Sequence, residues 1–295
     1  MATDRSVFDV LIIGGESIIG SALLNSYLKD DLKVWSTTRK AEKINEQCFF
    51  LNFENEFIGN SLPDVYFKTV FICVGVTSIK QCTDEPVRSS LVNIKNTVAV
   101  AEYFINKGSF VVYLSTGAVF DGELAFSETD ETVNPRTEYG KQKAKAEKLL
   151  FSFTSKMLAI IRLSKVIQPD MPLIQNWIRD IKSGISISPF SDMVIAPVAL
   201  DLVVSFLKKI ATQQIPGIHH LSANKDISYF NVALYIAGIL GIDQKMILPG
   251  SYNNAGILWI PQNTTLNCSR LGEIGMFSPS PLNAFHQLMQ LQLSN

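Results

Sequence analysis

VFDVLIIGGESIIG, residues 7–20, is predicted to form a strand, a tight turn and the start of a helix. The β-forming run stops at Gly14 and Gly15, and helical spacing of apolar residues begins at Ile18. Such a turn lets the backbone approach a pyrophosphate at the helix N-terminus, although a tight turn without a ligand has the same pattern. We interpret it as part of a dinucleotide site. The predicted cofactor-binding residues of the turn are Gly14, Glu16, Ser17, Ile18, Ile19 and Gly20.

Beyond this turn the chain alternates short apolar runs with helical patterns. The alternation is typical of a parallel sheet whose crossover helices cover both faces. The predicted strands are Val7–Ile13, Lys33–Thr37, Cys48–Leu51, Thr69–Val74, Phe110–Ser115 and Ala159–Leu163, and the predicted helices are Ile18–Lys29, Ser90–Ile105 and Glu138–Phe151. We therefore predict an α/β fold with a doubly wound parallel sheet.

The alternation loosens after about residue 166, where prolines become frequent. We predict a first domain over residues 1–166, to which residues 197–222 return. Residues 167–196 and 223–295 are predicted to form a smaller lobe. The predicted elements of this second half are helices at Met171–Gly184, Val198–Ala211, Ile227–Leu240 and near Pro281–Leu291 and a strand at Ile218–Ser222.

The composition excludes several classes of protein. Of 295 residues 47% are hydrophobic and 18% are charged, so the chain can bury a sizeable core. Lys and Arg total 26 against 27 Asp and Glu, which argues against a nucleic-acid surface or a polybasic membrane anchor. The longest nearly apolar run, Val232–Ile242, is far short of the roughly 20 residues of a membrane span. The four cysteines form no C-x-x-C pair, so we expect reduced thiols in the cytoplasm and no metal site.

The end of the second predicted strand indicates which dinucleotide binds. An acidic residue there would bind the ribose 2′-hydroxyl of NAD, but the chain reads STTRK over residues 36–40. The hydroxyl of Thr38 and the guanidinium of Arg39 suit a 2′-phosphate, because Arg forms charge-assisted bonds to phosphate. The alternative is an ordinary polar loop. We predict NADP in preference to NAD.

Three residues in the middle of the chain form a candidate catalytic set. Thr116 lies where a buried strand ends, and Tyr139 and Lys143 are four residues apart in a predicted helix, on one face. A neighbouring Lys⁺ favours the phenolate, so the Tyr could exchange a proton with a substrate oxygen, and Thr116 could orient the same carbonyl. A lone Y-x-x-x-K pair is usually solvated. The order of strand, glycine turn, Ser-Thr and Tyr-Lys makes the pattern specific.

With the glycine turn, STGAVFDG at 115–122 and PRTEYGKQKAKAE at 135–147, the chain resembles the extended short-chain dehydrogenase/reductases. It most resembles their dTDP-4-dehydrorhamnose reductase branch of sugar-nucleotide enzymes. The resemblance implies a Rossmann-like domain with NAD(P) and a smaller C-terminal substrate lobe over a nucleotide-sugar cleft. It also implies a catalytic trio of Thr116, Tyr139 and Lys143, supported by Asn93. The further cofactor contacts that we predict are Asn52, Val74, Gly75, Tyr139 and Lys143.

Departures from the family pattern narrow the reaction. Gly117-Ala118 follows the catalytic Thr where 4,6-dehydratases of the family carry Asp-Glu, and the motif lacks the Cys of the epimerising reductases. We therefore expect an NADP-dependent oxidoreductase that reduces a keto group of a nucleotide-linked sugar. Two alternatives stay open: a sugar-nucleotide 4-epimerase, and a non-catalytic NADP-binding regulatory subunit resembling the methionine adenosyltransferase beta subunit. The expected partner is a nucleotide sugar, with neither nucleic acid nor membrane, and a homodimer is left open.

Overall fold

The computed structural model describes residues 7–30, 32–56, 58–153, 156–252 and 260–293. The chain divides into two compact units, each with its own hydrophobic core. The first unit comprises Met1–Val119, Val133–Arg162 and Val204–His219, and the second comprises Phe120–Thr132, Leu163–Val203 and His220–Asn295.

A seven-stranded sheet organises the fold, in the order β10-β6-β5-β4-β1-β2-β3. Strand β1 pairs in parallel with β2 and with β4, and β4 pairs in parallel with β5. The strands are β1 Val7–Ile13, β2 Val34–Thr38, β3 Cys48–Phe50, β4 Tyr66–Ile72, β5 Phe110–Thr116, β6 Leu158–Leu163, β7 Val166–Ile167, β8 Val194–Ile195, β9 Val198–Ala199, β10 Gly217–Leu221 and β11 Ile227–Ser228. The predicted α/β fold with a doubly wound sheet is confirmed.

The long helices follow the predicted pattern, one of them with an interruption, and the short helices α2 and α3 were not predicted. They are α1 Ile18–Leu28, α2 Ile79–Asp84, α3 Pro86–Ser90, α4 Thr97–Asn106, α5 Glu138–Phe153, α6 Pro172–Lys182, α7 Leu200–Gln213, α8 Tyr229–Ile239 and α9 Pro281–Leu293. The single helix predicted over Ser90–Ile105 is interrupted by a π-helical segment, Leu91–Asn96. The Asn96 amide donates to the carbonyls of Phe53 and Asn55, at 2.7 Å each. These contacts to another loop accompany the local widening, and π-helical turns are frequent at functional sites.

The core of the first unit explains why its central strands are continuous apolar runs. Leu11, Val70, Val111 and Ile160, from four neighbouring strands, are fully buried, because helices cover the sheet on both faces. Phe67 packs edge-on against Phe104 of α4, with the ring centroids 5.9 Å apart.

The core of the second unit is built by helices. In α6 the buried residues Ile174, Trp177, Ile178 and Ile181 recur at helical spacing and form one apolar face. The ring of Trp177 meets that of Tyr229 from α8 edge-on, with the centroids 6.1 Å apart. Among the described residues, none of the helices combines the length and the apolar character that crossing a bilayer would require.

Candidate functional site

The glycine turn between β1 and α1 is closed by Ser17, which is the N-cap of α1. Its hydroxyl donates to the carbonyl of Gly14 at 2.8 Å and accepts from the N–H of Gly20 at 3.1 Å. Serine is a preferred N-cap because its oxygen satisfies one of the orphan N–H groups of the first turn. Ser17 therefore both closes the turn and begins the helix.

The flanking glycines of the turn are required by close backbone approach. Gly14 has φ +86°, and a Cβ there would lie 2.8 Å from Cγ2 of Val74. A Cβ on Gly20 would lie 2.1 Å from the carbonyl oxygen of Gly14, closer than any side chain allows. The turn is also tied to β2, because the Gly14 N–H donates to the Thr37 hydroxyl at 2.9 Å.

A groove of about 390 Å³ runs along the ends of β1, β2 and β4. Eight of the predicted cofactor residues line it: Gly14, Glu16, Ser17, Thr38, Arg39, Asn52, Val74 and Gly75. Its lining does not include Ile18, Ile19 and Gly20 of the first turn of α1, nor Tyr139 and Lys143 of α5. The fold thus brings together segments that are far apart in the chain, because the carboxyl ends of parallel strands meet at one edge of the sheet.

A carboxylate from the glycine turn lies at the end of β2, although residues 36–40 themselves include no acidic residue. Glu16, from the glycine turn, accepts a hydrogen bond from the Thr38 hydroxyl at 2.6 Å and one from Lys43 Nζ at 2.7 Å. Lys40 Nζ lies 3.5 Å from the same carboxylate. The bond from Lys43, and then that from Thr38, lowers the pKa of Glu16 to about 2. Through these contacts Lys40 and Lys43 bring two further cations to the end of β2, which we did not predict from the sequence.

Arg39 lines the same end of the groove and is largely exposed to solvent. Its guanidinium lies 3.5 Å from Glu54, and 68% of the side chain is exposed. Glu54 is bound more tightly by Arg88, at 2.9 Å. The pairing of Arg39 is therefore weak, and its guanidinium can turn to another anion.

Tyr139 and Thr116 meet at the end of β5. Tyr139 lies in the first turn of α5, and its phenol lies near the side chain of Thr116. Burial raises the pKa of Tyr139 to about 12, and the nearby Thr116 hydroxyl opposes this rise. From the sequence we expected a neighbouring Lys⁺ to favour the phenolate. In the structure the desolvation of the phenol dominates instead, so Tyr139 keeps its proton at neutral pH.

Lys143 lies one turn further along α5 and is buried. Its ammonium donates to the carbonyl of Leu114 at 2.6 Å and lies 4.1 Å from the ring centroid of Tyr113. Burial lowers the pKa of Lys143 to about 7, and the nearby Glu147 opposes this shift. The amine thus points towards the end of β5, where Thr116 also lies.

The side chain of Asn93, in the π-helical segment, holds the loop after β4. Its carbonyl accepts from the N–H of Val76 at 2.8 Å, and its amide donates to the Val76 carbonyl and to Gln142 Oε1, both at 2.9 Å. Its Oδ1 would lie 3.3 Å from a Cβ on Gly75. Asn93 thus connects α5 to the loop after β4, whose residues Gly75 and Val76 line the groove.

A buried ion pair joins α5 to β6. Arg162 of β6 binds Glu147 of α5 through Nη2 at 2.7 Å and Nε at 3.1 Å. The Ser115 hydroxyl donates to the same carboxylate. The exposed fractions of the Arg162 and Glu147 side chains are 3% and 6%. The contacts join α5, β5 and β6, the three elements that carry or flank the candidate trio.

Two relatives illustrate the range of proteins that this chain resembles. It is 22% identical over 285 residues to methionine adenosyltransferase 2 subunit beta of Xenopus laevis, covering 92% of this chain and 84% of that protein. It is 27% identical over 196 residues to dTDP-4-dehydrorhamnose reductase of Aggregatibacter actinomycetemcomitans, covering 63% of this chain and 66% of that protein.

A solved structure agrees with the fold over almost the whole chain. The dTDP-4-dehydrorhamnose reductase of Bacillus anthracis, crystallised in complex with NADP, superimposes with a TM-score of 0.81. The match has 19% sequence identity and covers 97% of this chain and 99% of that one. At this identity the likeness concerns the fold alone. The family model described as the RmlD substrate binding domain matches residues 8–290. With its sheet, glycine turn and Thr–Tyr–Lys set, the chain therefore belongs to the RmlD substrate binding domain family.

Proposed function

We propose that this protein is an NADP-dependent oxidoreductase that reduces a keto group of a nucleotide-linked sugar. The observation that carries the proposal is the approach of Tyr139 to Thr116 at the carboxyl end of β5, with Lys143 on the next turn of α5. A phenol that holds its proton at neutral pH, beside a hydroxyl that can orient a carbonyl, suits proton donation to a substrate oxygen. The groove lined by the glycine turn and the ends of β2 and β4 suits a dinucleotide.

The residues of the groove fit NADP. The turn is a cradle that side chains would fill, since a Cβ on Gly20 would meet the carbonyl of Gly14 at 2.1 Å. In this proposal the backbone of the turn and the first turn of α1 hold the pyrophosphate, and Thr38 and Arg39 hold the 2′-phosphate. The cofactor, when bound, supplies the hydride.

Each residue of the proposed catalytic trio has its own role in the reduction. Tyr139, with a pKa of about 12, carries the proton that the substrate oxygen receives. Thr116 orients the carbonyl through its hydroxyl. Lys143, which burial holds near its neutral form with a pKa of about 7, is poised to bind ribose hydroxyls and to respond to charge that develops on Tyr139.

The proposal also assigns one role to each of the two predicted domains. Residues 1–166 with 197–222 form the cofactor domain, and residues 167–196 and 223–295 form the lobe that binds the nucleotide sugar. The four cysteines are free thiols, which supports a cytoplasmic setting.

A regulatory subunit is the second candidate, and the extent of the sequence match favours it. The beta-subunit relative matches 92% of this chain, whereas the reductase relative matches 63%. In this case the chain would bind NADP and a methionine adenosyltransferase without reducing a sugar. The Thr–Tyr–Lys set, which such a role does not need, supports the enzyme.

Replacement of Tyr139 by Phe tests the enzyme. Tyr139→Phe removes only the phenolic oxygen, so reduction of a matching keto sugar with NADPH should fall by about two to four orders of magnitude. The Kd for NADP should change little, because the lost interaction acts mainly in the transition state. The substrate is first found by measuring thermal shifts with a set of nucleotide sugars and NADP, since ligand binding raises stability by mass action.

The matched control is Tyr235→Phe, whose hydroxyl contacts His286 in the second unit at 3.1 Å. This variant should turn over like the wild type. Turnover that Tyr139→Phe leaves unchanged would contradict the proposed mechanism. A wild type that reduces no keto sugar, but binds a methionine adenosyltransferase equally well with and without Tyr139→Phe, would establish the regulatory subunit instead.

A further inference from the structure

The end of β2 carries a second, more open pocket that is rich in cations. Its lining residues are Gly15, Glu16, Ser21, Arg39, Lys40, Lys43 and Asn52. They bring three cationic side chains together with one carboxylate. The pocket adjoins the groove through three shared residues, Glu16, Arg39 and Asn52, so it lies where the adenosine ribose would end.

Glu16 occupies this pocket with its carboxylate among the groups that a phosphate would use. One oxygen accepts from the Thr38 hydroxyl at 2.6 Å, and the other accepts from Lys43 at 2.7 Å. Lys40 lies 3.5 Å from that second oxygen. Hydroxyls and ammonium groups are also the donors that bind a phosphate monoester. The carboxylate is therefore an internal anion at the site proposed for the 2′-phosphate.

The contacts of Glu16 are open to exchange. About half of each lysine side chain is exposed, 55% for Lys40 and 52% for Lys43, and Glu16 itself is 32% exposed. Exposed ion pairs of this kind contribute little to stability. An incoming phosphate can therefore bind the two ammonium groups in place of the Glu16 carboxylate. A ribose with a free 2′-hydroxyl meets the opposite situation, because the hydroxyl can donate to the carboxylate.

We infer that Glu16 is a specificity-determining residue, whose carboxylate weakens NADP binding and strengthens NAD binding at the end of β2. Arg39, Lys40 and Lys43 attract the 2′-phosphate, and Glu16 offsets part of that attraction. The wild type therefore discriminates between the two dinucleotides less than its three cations alone would. This inference rests on the proposed cofactor site and does not depend on which sugar is reduced.

The test compares dissociation constants for NADP and NAD by titration calorimetry. Glu16→Gln removes the charge and keeps the shape, so NADP should bind more tightly and NAD more weakly. The ratio of the two affinities should move by about tenfold towards NADP, as expected for one unit charge roughly 6 Å from a phosphate in a partly screened site. Adenosine 2′,5′-bisphosphate and 5′-AMP, which carry only the adenosine half, should show the same shift.

Glu42→Gln is the matched control, because it removes the same charge from the 3-10 turn Ala41–Lys43 without lining the pocket. It should leave the ratio within twofold of the wild type, and the thermal midpoints of both variants show that they are folded. A ratio that Glu16→Gln leaves unchanged, or moves no more than Glu42→Gln does, overturns the inference while the cofactor site stands. A wild type that binds neither dinucleotide overturns both the cofactor site and the inference.

Discussion

At the scale of single residues, Lys143 is a buried amine whose charge is opposed by its surroundings. Its exposed fraction is 4%, and burial lowers its pKa from 10.5 to about 7. Between these two values the unfolded chain binds the proton that the folded chain has lost, so the unfolding free energy rises with pH. Relative to Lys143→Met, the wild type should gain about 1 to 2 kcal/mol of unfolding free energy between pH 7 and pH 8.5. Urea unfolding of both proteins at each pH measures this gain.

Lys141→Met is the control for this titration, since Lys141 is an exposed residue of the same helix. The difference in unfolding free energy between Lys141→Met and the wild type should not vary with pH over the same range. Below pH 7 the gain from Lys143 should vanish as well, because the amine is then charged in both states. A difference that stays flat from pH 7 to pH 8.5 would show that Lys143 keeps its charge in the folded protein.

At the scale of secondary-structure elements, α5 is fixed against the end of β5 by a glycine. A Cβ on Gly140 would lie 2.2 Å from the carbonyl oxygen of Ala118 and 3.0 Å from Cβ of Pro135. Gly140→Ala should therefore destabilise the protein by about 1 to 3 kcal/mol, the usual cost of overpacking. It should also lower turnover, because α5 can only relieve the clash by moving Tyr139 away from Thr116. Thermal unfolding and steady-state kinetics measure the two effects.

Gly238→Ala provides the comparison, because Gly238 is also helical but has room for a side chain. A Cβ there would meet only Nε2 of Gln244, at an ordinary 3.6 Å. Alanine has the higher helix propensity, so this variant should be neutral or up to about 1 kcal/mol more stable. Equal effects of the two substitutions would mean that the contact of α5 with Ala118 does not limit the position of the helix.

At the scale of the whole molecule, the candidate cofactor residues all belong to the first unit, and the second unit has a separate core. NADP alone should therefore slow amide hydrogen exchange in residues 14–20, 36–43 and 73–78, because a ligand stabilises the region that it contacts. Exchange in α6 and α8 of the second unit should remain unchanged. Mass spectrometry of peptides with and without NADP measures this, and equal protection of α6 and α8 would contradict it.

Much of this organisation can be predicted from the sequence because it depends on residues that are close together along the chain. The strand β1, the glycine turn and α1 follow one another within 22 residues, so apolar periodicity and two glycines are enough to predict them. The pairing of Tyr139 and Lys143 on one helix face depends only on the helical repeat. The order of the strands along the chain also predicts a parallel sheet, because short crossovers leave few alternatives.

Other features depend on residues that only the folded chain brings together. Glu16 meets Thr38 and Lys43 across separations of 22 and 27 residues, and no local pattern pairs them. The sign of the pKa shift at Tyr139 was likewise inaccessible, since it depends on how completely the phenol is desolvated. The sequence by itself determined the sheet and the glycine turn and indicated the candidate catalytic residues, because these follow from local periodicity and chain order. Only the tertiary structure decided which charges share the cofactor pocket and how burial shifts the proton affinities, because both depend on distances between separate elements.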